Sequence, residues 1–265
     1  MKIYNIYDEE INLYIGTLLY YEKENSYIIE LSQELDEWSA PLLFTGLVKK
    51  GIYTVPREIS FLWVKERVIP SGRQNIQSIL KTHRLKEYDE LKFIELSRGR
   101  CSQDSMYIEK TDVLPEFVKK RMERNITECV ICECPFVLCF FHDETIKKVD
   151  LTKCVDVDQL DRVLNNNMLF ETGKVATGGY SITFNENIDV PAWKLYECGD
   201  MIPLRMQDFK AFVEKNILDT TQSCELMECS RQNIAYMVRQ KHLVPIKEEV
   251  RGNLYLKGEV LKNSW

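Results

Sequence analysis

This chain has little of what most enzymes are built on. Its 265 residues include only three histidines, His83, His142 and His242, in three different segments, and none belongs to a local Ser or Cys nucleophile pattern. A Gly-rich phosphate loop is missing, since Gly178-Gly179 is an isolated pair between two apolar runs. Acid pairs such as Asp156 and Asp158 fall at turns and strand ends, where capping is their ordinary role. No catalytic residue is assigned, and the expectation is that the chain is not an enzyme. No apolar run approaches the length that spans a bilayer, and Met1-Lys2-Ile3-Tyr4-Asn5 lacks a signal-peptide pattern. A cytoplasmic protein without a membrane partner is therefore expected. The nine cysteines are odd in number and irregularly spaced, which reads as reduced thiols, not as a disulfide framework. Cys129, Cys132 and Cys134 lie near His142, but no second Cys-x-x-Cys exists and strand alternation turns Cys129 away from the other two. Neither a metal nor a cofactor is expected.

What is present describes an ordinary soluble chain with 45% hydrophobic and 29% charged residues, long enough for two or three small domains. Its charge is uneven. Residues 1–48 hold two Lys against nine acids, a net of −7, whereas residues 49–100 hold twelve Lys or Arg against six acids, a net of +6. The two halves can attract each other within one domain, which is the default reading. Alternatively, the basic face is a contact for DNA or an acidic partner.

Two junctions divide the chain. Asp112-Val113-Leu114-Pro115-Glu116 opens a charged helix to about Arg124, with Asp112 as its cap. Gly199-Asp200-Met201-Ile202-Pro203 breaks the chain again before a helix with Phe209, Phe212 and Val213 on one stripe. The expected domains are 1–112, 125–203 and 217–265. In the first, Leu13–Tyr20 and Ser26–Leu31 alternate as strands around a turn at Glu24-Asn25, and helices follow at 58–67, 73–83 and 88–96. In the second, strands run over 128–135, 137–141 and 145–151, turning at Asp143-Glu144, with a short helix near 158–164 and strands on either side of Gly178-Gly179. The fold class expected is α+β and multidomain: two small α+β or β-rich domains followed by an all-α helix-turn-helix with a wing.

The third segment carries the pattern that points to an activity. Thr220 or Thr221 caps a first helix, Glu225 favours its positive end, and Leu226 and Met227 supply apolar contacts. Ser230 caps a second helix in which Ile234, Met237 and Val238 repeat at i, i+3, i+4. Its opposite face offers Arg231, Gln232, Asn233 and Tyr236 to base edges, because Arg pairs with guanine while Gln and Asn pair with adenine. Ser230, Arg239, Lys247, Arg251 and Asn253 are placed to hold phosphates. Leu243, Val244 and Ile246 leave as a strand, residues 253–256 return, and Gly258 to Leu261 begin a closing helix. Residues 219–265 hold seven Lys or Arg against six acids, so one module has little phosphate-neutralising charge. A homodimer on double-stranded DNA is the expectation that follows.

Three stretches resemble known families. Cys229-Ser230-Arg231-Gln232-Asn233-Ile234-Ala235-Tyr236 resembles the start of the recognition helix in excisionase and MerR-type winged helix-turn-helix domains. The middle segment resembles a small bacterial domain of unknown function found in regulator and toxin–antitoxin genes. The matching phrases are Phe141-His142-Asp143-Glu144-Thr145-Ile146-Lys147-Lys148-Val149-Asp150-Leu151, Leu164 to Phe170, and Ile188-Asp189 to Leu195-Tyr196; Glu144 replaces the usual turn glycine. Ile15-Gly16-Thr17-Leu18, Ala40-Pro41-Leu42-Leu43, Arg67 to Arg73 and Ser97-Arg98-Gly99-Arg100 resemble the N-terminal subdomain of HipA-type Ser/Thr kinases, without any kinase phosphate loop or catalytic Asp. Together the resemblances imply a DNA-binding regulator, the antitoxin-like autorepressor of a toxin–antitoxin locus. The alternative is a module that binds and neutralises a HipA-type kinase through residues 1–112 without touching DNA.

Overall fold

The computed structural model describes residues 1–154, 156–204, 206–250 and 252–256. The alternating N-terminal runs form an antiparallel sheet. Its first strands are β1 (Lys2–Asp8), β2 (Leu13–Tyr21) and β3 (Ser26–Leu31), followed by α1 (Leu42–Lys49), β4 (Thr54–Val55), α2 (Arg57–Lys65), α3 (Ile76–Thr82), α4 (Glu90–Ser97) and β5 (Met106–Thr111). The strand order is β4-β3-β2-β1-β5. The β2–β3 turn bends at Asn25, whose φ of 46° is a conformation asparagine tolerates well.

Both faces of this sheet are covered, which explains the nearly unbroken apolar runs of β2 and β3. Alternation along β3 sends Tyr27, Ile29 and Leu31 to one face, where they pack with Tyr4, Ile6, Leu18, Phe44, Trp63 and Ile94. Ile28 and Leu19 go to the other face and meet Val118 of α5 (Glu116–Met122) and Tyr180. Glu30 lies on that second face too, fully buried, and its Oε2 accepts from Arg121 Nη1 of α5 at 2.8 Å. Asp112 is not the cap of α5: Pro115 holds the N-cap position and no side chain caps the helix. Proline there is preset for entry into the first turn.

The middle segment continues with β6 (Ile126–Ile131), β7 (Phe136–Phe141), β8 (Ile146–Asp150), α6 (Leu160–Leu164), α7 (Asn167–Phe170), β9 (Lys174–Val175), β10 (Ser181–Phe184), β11 (Ile188–Pro191) and α8 (Ala192–Cys198). Val137, Phe141, Val163, Phe170, Phe184 and Leu195 lie in one core there. Cys139 and Cys154 are buried in the same core, and desolvation raises both thiols, Cys154 to about 12. Cys132 and Cys134 lie beyond the end of β6, so strand alternation does not govern their facing. Among the described residues no group of three or more His, Cys, Asp or Glu is arranged around a metal position.

Contacts divide the chain into two compact units, one of residues 1–143 and 149–199, the other of residues 144–148 and those from Asp200 onward. The expected boundary at 112–125 thus falls inside one unit. The reason is physical: α5 is not a free connector, because Val118 and Arg121 are packed into the second face of the sheet. Arg57 adds an ion pair to Asp189 at 2.7 Å, and the exposed pairs Lys49–Glu37 and Arg100–Glu9 join basic to acidic segments as the charge pattern suggests. Exposed pairs of this kind contribute little to stability, because water and salt screen them.

In the second unit β12 (Asp200–Ile202) pairs antiparallel with residues 146–148 of β8. It is followed by α9 (Met206–Asn216), β13 (Ile217–Leu218), α10 (Thr220–Leu226), α11 (Arg231–Arg239), β14 (Lys247–Val250) and β15 (Gly252–Leu256). Phe209 and Val213 of the expected apolar stripe on α9 are 38% and 37% exposed. The C-terminal segment is not all-α, because β13, β15 and β14 form a three-stranded sheet in that order. The expected closing helix at 258–261 lies outside the described residues. The class is α+β, with helices set beside antiparallel sheets, and no helix among the described residues is long and apolar enough to cross a membrane.

Candidate nucleic-acid interface

The cap of α10 is Asp219, one residue before the expected threonines. Its carboxylate accepts from the Gln222 N–H at 2.8 Å, and the Gln222 side chain accepts from the Asp219 N–H at 3.1 Å. This reciprocal box satisfies two otherwise orphaned donors, with a carboxylate at the helix's positive end. Glu225 is near the other end of α10 and cannot play that part. Of the expected apolar contacts, Met227 packs inward but Leu226 is 37% exposed; Cys224 takes the inward place instead. Desolvation, reinforced by Cys229, raises the Cys224 thiol above its ordinary value.

Between the helices the chain reverses in four residues. Cys229 N–H donates to Cys224 O at 3.0 Å and Glu228 N–H to Glu225 O at 3.3 Å, with Glu228 at φ 50°. That is a Schellman closure with glutamate where glycine is the favoured residue. Replacing Glu228 by Gly should therefore raise stability by about 0.5–1 kcal/mol. A urea titration of both proteins checks the gain, and a loss would show that the Glu228 side chain stabilises the turn.

Ser230 caps α11 as expected, its hydroxyl accepting from the Asn233 N–H at 3.3 Å. Ile234 and Met237 are buried, and Val238 is half-buried beside them. Leu243 and Tyr255 complete the small core, and each of these side chains contributes about 2 kcal/mol on burial. The helix ends in a second closure of the same type: His242 N–H reaches Met237 O at 2.9 Å, with Lys241 at φ 59°.

The structure brings most of the expected side chains to one exposed helix face. Arg231, Ala235 and Arg239 form one i, i+4 row and Gln232 and Tyr236 the adjacent row, all exposed. Asn233 is exposed at the margin of that face, next to the buried stripe. Arg231 is steadied by α10, its Nη2 donating to Thr221 Oγ1 at 3.0 Å, and Arg239 Nε donates to Ala235 O at 3.4 Å. Thr221, one of the two threonines expected as the cap, instead orients Arg231. Ala235, small and exposed between longer side chains, leaves room for close approach; nothing in its local pattern marked it.

The strand expected at 243–246 does not form. Leu243 is buried, whereas Val244 and Ile246 are 61% and 51% exposed, and β14 begins at Lys247. Ile246 N–H still donates to Leu254 O at 2.9 Å, which starts the pairing of β14 with β15. Lys247 is exposed opposite Leu254, and Gly252 takes φ 114° at the hairpin end. Arg251 and the Asn253 side chain lie outside the described residues. No protein-family model, curated protein or solved structure matches this chain.

Proposed function

We propose that this protein is a DNA-binding transcriptional regulator whose segment 217–265 is a winged helix-turn-helix. In this reading α11 enters the major groove, and Arg231, Gln232, Asn233 and Tyr236 read base edges. Ser230, Arg239, Lys247, Arg251 and Asn253 hold the backbone, with the β14–β15 hairpin as the wing. The observation that carries the reading is the exposed double row on α11, rich in the side chains that pair with bases and anchored from behind by Ile234, Met237, Leu243 and Tyr255. The low charge of the module argues for a homodimer, since each copy neutralises few phosphates. Autorepression of a toxin–antitoxin locus, with a HipA-type kinase held by residues 1–112, is the regulatory role this reading includes. Trp38 and Leu42, 87% and 94% exposed, are apolar surface for such a partner to cover.

The test is selection of bound sequences from random duplex DNA with the full chain at low and then moderate salt. An enriched motif with two-fold symmetry, its half-sites about one helical turn apart, is the expected result. Absence of enrichment at both salt concentrations overturns the reading.

A further inference from the structure

The larger unit holds a pocket of about 320 Å³ over the second face of the five-stranded sheet. Its floor is Arg121. Phe117 and Tyr53 flank that guanidinium, with ring centroids 4.9 and 5.4 Å away. One terminal nitrogen, Nη1, donates to Glu30 Oε2 and Leu31 O at 2.8 Å and approaches Tyr53 O at 3.4 Å, whereas the buried Nη2 makes no hydrogen bond. Beneath it the Thr54 hydroxyl donates to both Glu30 oxygens, at 3.1 and 2.9 Å. Burial drives Glu30 towards its neutral acid more strongly than Arg121 holds it ionised.

At the rim stand Lys50 and Arg124, both exposed. Among the described residues neither forms an ion pair, and Arg124 lies 5.1 Å over the Tyr196 ring. Tyr53 and Trp193, half-buried, form the aromatic walls, and Glu197 is the one acid at the rim. A pocket at the small end of the range for metabolites has room for a single ring with a substituent, not for a dinucleotide. Two rim cations, Lys50 and Arg124, against one rim carboxylate select an anion, and two aromatic walls select a planar apolar body.

We infer that this pocket binds a small organic anion, a carboxylate or phosphate monoester carried on a planar ring. Arg124 and Lys50 contact the oxyanion, and Tyr53 and Trp193 hold the ring. The site is built entirely within the larger unit, so it stands or falls separately from the nucleic-acid reading.

Calorimetric titration of the full chain with four probes tests it: benzoate, phenyl phosphate, the neutral benzyl alcohol and inorganic phosphate. Saturable binding of benzoate or phenyl phosphate is expected, about tenfold or more tighter than either control. The better of the two anions identifies the oxyanion. Arg124→Gln and Trp193→Ala should each weaken that probe about tenfold, while Lys119→Gln, an equal charge change on the outer side of α5, should leave it unaltered. Failure of both aromatic anions to saturate overturns the inference, as does binding no tighter than the controls. Equal weakening by Lys119→Gln and Arg124→Gln also overturns it, because the attraction would then be unspecific.

Discussion

Replacing Gly179 by alanine should destabilise the larger unit by about 3 kcal/mol or more, a large share of the stability of an ordinary domain. Gly179 has φ 73°, and a Cβ built there falls 2.1 Å from Ile126 O and 3.0 Å from Ile126 C and N. The obstacle is backbone of β6, tied into its ladder with β7, so it cannot swing aside as a side chain would. Left-handed strain for a residue with a Cβ adds about 1–2 kcal/mol to that overlap. The adjacent Tyr180 reaches the second face of the N-terminal sheet, so displacement of this turn also pulls on the packing of Leu19, Ile28 and Val118. Gly46→Ala is the control. Gly46 is inside α1 with open space around its Cβ position, and alanine there should stabilise by up to about 1 kcal/mol. Urea unfolding followed by circular dichroism separates the two. A Gly179→Ala midpoint equal to the parent's would mean that β6 and the 177–179 turn can move apart without cost.

The double variant Arg231→Ala, Gln232→Ala should lose sequence preference on DNA while remaining folded. Both side chains are exposed on α11, away from Ile234 and Met237, so their truncation leaves the core of the smaller unit intact. A well-formed bidentate contact with a base contributes about 1–3 kcal/mol of discrimination, so losing two should reduce preference for the selected site by roughly a hundredfold. Lys247→Ala should act differently. It weakens binding to all sequences alike and makes the dependence on salt shallower by about one counterion. Competition between the selected duplex and random DNA, read by fluorescence anisotropy at two salt concentrations, distinguishes the patterns. Unchanged preference in the double variant would remove α11 from the groove and leave the segment as a packing module.

Much of the local structure was legible in the sequence because its signals lie within a dozen residues. Short apolar runs on either side of a turn marked β2 and β3, the helical repeat marked Ile234, Met237 and Val238, and Ser230 stood where an N-cap belongs. The face of α11 opposite that stripe followed from the same repeat. The limits of such reading show at Asp219 and Glu225, where shifting a helix start by one or two residues changes which side chain is the cap. They show again at Leu243, which ends in a core and not on a strand.

Tertiary structure alone decided how the larger unit is joined. Arg121 finds Glu30 across 91 positions of sequence, and β1 pairs with β5 across a similar span. The charged helix at 116–122 reads locally as a surface connector, since a Lys-Lys-Arg run is ordinarily solvated. Only closure of the sheet beneath it shows that Val118 and Arg121 point inward. The same holds for Gly179, whose need for a bare Cα comes from the backbone of Ile126 and from nothing near it in sequence. Periodicity and capping are properties of a short peptide, so the sequence by itself determined the Ser230 cap, the buried stripe and the exposed face of α11. Which faces meet depends on closing long loops, whose outcome is set by the summed burial of the whole chain.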